Sequence, residues 1–130
     1  MYGRVDWLGD HLVECSNANG QKITIDWEEG PSPVQITLQM LGACSLVDVV
    51  DGLKQRDFDK VWIEMESERA ENAPRVFTSI NMVYNVRGEV PLKLVERIVA
   101  KSHEKYCTIS NMIKHTAKIT SSVIIHPNSS

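Results

Sequence analysis

The chain has 130 residues, 42% of them hydrophobic, enough for one core and short for two ordinary domains, so a single domain over 1–130 is expected. A formal net charge of -3 leaves no basic surplus to neutralise phosphates, which excludes the usual electrostatic driver of nucleic-acid binding. The odd count of three cysteines, with no charged-then-apolar leader ahead of them, points to a reducing compartment, and a cytoplasmic location is expected.

The chain opens on strands. Leu12 to Cys15 and Gln21 to Trp27 flank Asn17-Ala18-Asn19-Gly20, where Asn and Gly accept the positive φ of a tight hairpin turn. Cys15 falls in an edge strand beside that turn and reads as a half-exposed bystander.

Ser32-Pro33-Val34-Gln35 carries a helix-start signature: a serine to cap the free amides, a proline at the first helical position, and a glutamine to complete a capping box. The helix runs on through Leu53, and its apolar residues cover nearly the whole circumference, so it must be enclosed on all sides. Its longest apolar stretch, Ile36 to Val50, is interrupted by Gln39 and Asp48 and falls short of the roughly 20 residues of a membrane span, so no membrane is expected. A domain this small does not surround such a helix with its own chain, and an obligate homodimer is the expected solution.

Val61, Ile63 and Met65, then Val76 through Val86, alternate with polar residues as two half-buried strands joined by Ala70-Glu71-Asn72-Ala73-Pro74. After Pro91 comes an amphipathic helix with Leu92, Val95, Ile98, Val99 and Ser102 at helical spacing. A short helix around Thr108 to His115 and a last strand, Lys118 to His126, complete an α+β order with no strand-helix alternation to suggest a parallel sheet.

Two cysteines stand where chemistry is conceivable. Cys44 lies mid-helix among small neighbours in Leu41-Gly42-Ala43-Cys44-Ser45; it reads either as an inert buried hydrophobe or as a reactive thiol. Cys107 lies at the join of two helices, where it either fills a turn or, because free backbone amides there favour an anion, is a thiol of lowered pKa. His103, four residues earlier, either takes part in proton transfer or ends its helix. A zinc site from Cys44, His103 and Cys107 lacks a paired Cys-x-x-Cys element and a fourth ligand, so neither metal nor cofactor is expected.

Gly30-Pro31-Ser32-Pro33-Val34-Gln35 through Gly42-Ala43-Cys44-Ser45, together with Ser102-His103-Glu104-Lys105-Tyr106-Cys107 and Ser110-Asn111, resembles the OsmC/Ohr family. Cys44-Ser45-Leu46-Val47-Asp48-Val49-Val50 is closest to its OsmC-like branch. The resemblance implies antiparallel sheets around a long buried central helix, in an intertwined homodimer with sites at the subunit interface. It also implies a thiol-dependent peroxidase acting on organic hydroperoxides. Cys44 would be the peroxidatic and Cys107 the resolving residue, joined through a sulfenic acid to a disulfide that a dithiol reductant reopens. The sequence departs from the family at Val34 and Gln35, where active members carry a glutamate after the proline. No arginine matches the family's N-terminal one, leaving Arg56, Arg69 or Arg75 as substitutes. The alternative the departure suggests is a non-catalytic or redox-sensing dimer that binds a small apolar ligand.

Overall fold

The computed structural model describes residues 1–128. The chain forms two compact units, Met1–Gln39 and Met40–Ser130. In the first, β1 (Gly3–Gly9), β2 (Leu12–Asn17) and β3 (Lys22–Asp26) make an antiparallel sheet in sequence order. The Asn-Gly turn forms as its residues dictate: Gly20 takes φ 78°, and the Asn17 side-chain oxygen accepts from the Asn19 and Gln21 amides at 3.0 Å each. Register aligns Val5, Cys15 and Ile23 in one row and Trp7, Val13 and Ile25 in the next, so one face of this sheet is apolar. Val5 is 66% and Trp7 70% exposed, leaving that face open in the single chain. Cys15 sits on the central strand, not on an edge, because β1 adds a strand that the sequence reading did not delimit.

α1 spans Pro33–Gly52. Its capping box closes as expected, with the Gln35 amide donating to Ser32 Oγ at 3.2 Å and the Ser32 amide to Gln35 Oε1 at 2.9 Å. Within one chain the enclosure is partial. Leu41, Gly42, Ser45 and Val49 are buried, while Val47 is 66% and Val50 41% exposed, because one chain covers only one stripe of the helix. An 18-residue window of this helix has a mean hydropathy of 1.4, so α1 is long and apolar enough to cross a membrane by length and composition, a test that the core helix of a soluble protein also passes.

The second unit is built on β4 (Asp57–Arg69), β5 (Phe77–Glu89) and β6 (Lys118–His126), in the order β4-β5-β6. Ile80, Met82, Tyr84 and Val86 point from the central β5 into the core, following its period of two. β4 pairs with β5 antiparallel, but β6 runs parallel to β5, so this sheet is mixed and the antiparallel expectation fails here. The cause is the connection: α2 (Leu92–Lys101), a π-helical turn (Ser102–Tyr106) and α3 (Thr108–Ile113) form a crossover long enough to return the chain in the same direction. A single crossover makes no repeated alternation for a sequence to display. The α+β class holds.

Candidate active site

The site is assembled on the buried stripe of α1, the middle of β5 and the crossover. The amphipathic α2 buries Val95 and Val99, which fixes where the chain leaves the helix. There the backbone widens: the Cys107 amide donates to Ser102 O at 2.7 Å, the i to i−5 bond of a π turn, a form that recurs at functional sites. The wide turn ends with Cys107 as the N-cap of α3, its sulfur accepting from the Ser110 amide at 3.3 Å. Asn111 Nδ2 ties the two ends together, donating to His103 O at 3.1 Å and Cys107 O at 2.9 Å. Ser110-Asn111 thus holds the cysteine loop closed.

Cys44, half-buried on α1, is close enough to Cys107 to act on its titration, so the structure brings the two cysteines together with both thiols free. Gly42 lets α1 approach β4 closely, since a Cβ there would lie 2.8 Å from Met65 Cε. The acidity expected for Cys107 is corrected. Burial disfavours its thiolate and pushes the pKa up to about 11, the Ser110 amide opposes this, and Cys44 and Asp48 add to the rise. One amide at the start of a six-residue helix does not offset complete burial.

His103 does more than end a helix. Its Nε2 is 2.7 Å from Tyr84 Oη and its Nδ1 2.7 Å from Ser110 Oγ. Tyr84 Oη also lies 2.5 Å from Ser45 Oγ, which lies 2.8 Å from Ser102 Oγ, and Ser102 donates to Asp48 Oδ2 at 2.7 Å. Ser45, Ser102 and Ser110 are fully or almost fully buried, so each bond replaces one that water would otherwise supply. Burial holds the Tyr84 phenol above its ordinary pKa and the His103 imidazole below its own, and Asp48 acts upward on both. With both His103 nitrogens engaged by hydroxyls, the histidine is not free to bind a metal with the cysteines. Among the described residues no three His, Cys, Asp or Glu side chains are grouped as ligands.

Of this set the sequence reading singled out Cys44, Cys107 and His103. It missed Ser45, Asp48, Tyr84, Ser102 and Ser110 as site residues. One signal was visible: Asp48 is a lone carboxylate inside an apolar stretch, which calls for a partner. The suggested arginines lie elsewhere. Arg69 Nε donates to Arg75 O at 2.9 Å and Arg75 Nε to Ala70 O at 3.1 Å, both holding the β4–β5 connection, and Arg56 is exposed in the turn after α1. The cations beside the site are Arg97 and Lys101, which with Asp48, Asp51 and Tyr106 line an open groove of about 410 Å³.

The family model for OsmC-like proteins matches residues 26–122. Protein YhfA of Escherichia coli is 38% identical over 128 residues, covering 94% of this chain and 96% of the relative. A hypothetical protein of Aquifex aeolicus is similar in structure at a TM-score of 0.88, 26% identical, over 98% of this chain and 97% of that one. An organic hydroperoxide resistance protein OsmC from Legionella pneumophila, at 17% identity and a TM-score of 0.67 over 94% of each chain, shares the fold.

Proposed function

The chain belongs to the OsmC-like family, and from that premise we propose that it is a thiol-dependent peroxidase that reduces organic hydroperoxides. The observation that carries this reading is the juxtaposition of two free thiols, Cys44 and Cys107, at the end of a π turn. Cys44, the less buried of the two, attacks the peroxide oxygen; the O–O bond breaks, an alcohol leaves, and a sulfenic acid remains on Cys44. Cys107 then attacks the Cys44 sulfur, expelling the sulfenic oxygen as water and forming the disulfide. A dithiol reductant returns both thiols.

A homodimer is part of the reading. It is supported by two apolar surfaces that the single chain leaves open, the outer face of α1 around Val47 and Val50 and the Val5, Trp7 and Ile23 face of the first sheet. Sedimentation of wild type should give a dimer, and Val47→Glu should shift it toward monomer. The second reading, a slow redox sensor that binds an apolar ligand, is favoured by one observation. The Gln35 side chain, at the position beside the missing carboxylate, is engaged in the helix cap.

Free-thiol counts and intact mass after one equivalent of cumene hydroperoxide test the peroxidase, in a Cys15→Ser background. Rapid loss of two thiols, abolished by Cys44→Ser, is the expected result. Thiols that survive a large excess of peroxide sink it.

A further inference from the structure

The hydrogen bonds around Tyr84 form one unbroken path: Ser110, His103, Tyr84, Ser45, Ser102, Asp48. Its direction follows from its end. A carboxylate only accepts, so Ser102 gives its single proton to Asp48 and must itself accept from Ser45. Ser45, having donated, accepts from the Tyr84 phenol, because Met82 Sδ at 3.9 Å is a poor competitor for that proton. Tyr84 then accepts from His103, which places the imidazole proton on Nε2 and leaves Nδ1 to accept from Ser110. Every proton in the path points toward Asp48. Asp48 also lines the open groove with Asp51, Arg97 and Lys101, so the path runs to solvent from Ser110, the residue whose backbone amide bonds the Cys107 sulfur at 3.3 Å.

We propose that this path is a one-way proton conduit that carries the thiol proton of Cys107 to the Asp48 groove as Cys107 attacks a sulfur on Cys44. The inference rests on the two-thiol reading above only in needing that attack. As the S–S bond forms, the Cys107 proton passes to Ser110 Oγ, and Ser110 hands its own proton to His103 Nδ1. The Nε2 proton moves to Tyr84, and one proton moves along each of Ser45 and Ser102 until Asp48 is protonated. Asp48 releases that proton to groove water, and the group leaving Cys44 takes a proton from solvent, so charge balances. The Ser110 amide already bonded to the sulfur stabilises the thiolate as it forms. Cys107 has no exposed surface of its own, so the conduit gives its proton a route through protein groups. Tyr84, Ser45 and Ser102 act on the reacting sulfur through His103 and Ser110.

The test avoids peroxide, so that it stands apart from the peroxidase reading. Cys44 is converted to its methyl disulfide with methyl methanethiosulfonate in Cys15→Ser protein, and the release of methanethiol on attack by Cys107 is followed by quenched mass spectrometry. Resolution should show a normal solvent deuterium isotope effect. Tyr84→Phe, which removes the central link, should slow it about 100-fold, within the range of a lost proton-transfer group. Asp48→Asn should slow it similarly, and as a half-buried change it keeps the conduit testable if Tyr84→Phe folds poorly. Independently, ¹⁵N spectra of the imidazole should show the neutral Nε2–H tautomer at pH 7.5 in wild type. A Nδ1–H tautomer, equal resolution rates in wild type and both variants, or no resolution in wild type each overturns the conduit. Peroxide-resistant thiols with Tyr84-dependent resolution would remove the peroxidase and leave the conduit standing.

Discussion

Burial of Cys107 makes stability fall in the alkaline range, and replacement by serine isolates the effect. The thiol titrates at 9.0 when unburied and at about 11 in the folded chain, so between these values the unfolded chain has lost a proton that the folded chain keeps. Stability contributed by the protonated thiol is therefore complete below pH 9 and lost as pH rises toward 11. At 1.36 kcal/mol per pH unit, the two-unit gap amounts to about 3 kcal/mol. Serine has nearly the same shape and does not titrate here. Urea unfolding of wild type and Cys107→Ser, at one protein concentration with phosphine reductant, at pH 8, 9, 10 and 11, gives the difference directly. The raised Tyr84 phenol and all surface groups are common to both proteins and cancel to first order. The wild-type advantage at pH 8 should shrink by about 2 to 3 kcal/mol by pH 11. A difference constant to within about 0.5 kcal/mol across that range refutes the burial argument.

His103 is half-buried and held neutral, with a pKa below 6.5, so its folded form resists protonation and stability should fall as pH drops from 6.5 through the folded value; a ring-proton NMR titration with a midpoint at or above 6.5 contradicts this. Gly88→Ala should cost about 3 kcal/mol in urea unfolding, because at φ 155° its new Cβ would lie 2.5 Å from Phe58 Cα and 2.6 Å from Asp57 O, and backbone does not yield as a side-chain tip does. A loss under about 1 kcal/mol would mean the β4–β5 bulge relaxes. Ser32→Ala removes the cap that accepts from the Gln35 amide and should lower stability by about 1 kcal/mol, with the m-value unchanged.

Local chemistry made several features legible in the sequence. The capping box at Ser32 and Gln35, the Asn17 to Gly20 turn, the alternation of β5 and the amphipathic face of α2 each depend on residues a few positions apart, and each forms as its residues require. The two cysteine motifs identified the family for the same reason, since each is a short contiguous string. The pairing of Cys44 with Cys107 came only with that resemblance, since no local pattern relates residues so far apart in the chain.

What the sequence by itself determined, then, is the capped start of α1, the Asn-Gly turn, the amphipathic face of α2 and the family. Tertiary structure decided the rest. The parallel β6, the exposure of half of α1 and the raised pKa of Cys107 all depend on which surfaces meet, and no local pattern encodes that. The path from Ser110 to Asp48 is the clearest case. Tyr84 and Ser102 each kept the ordinary periodicity of a strand or helix, and only burial against α1 turned their hydroxyls from surface polarity into obligatory partners. Sequence spacing places a side chain on a face; the dielectric around that face, set by residues tens of positions away, determines whether its proton can move.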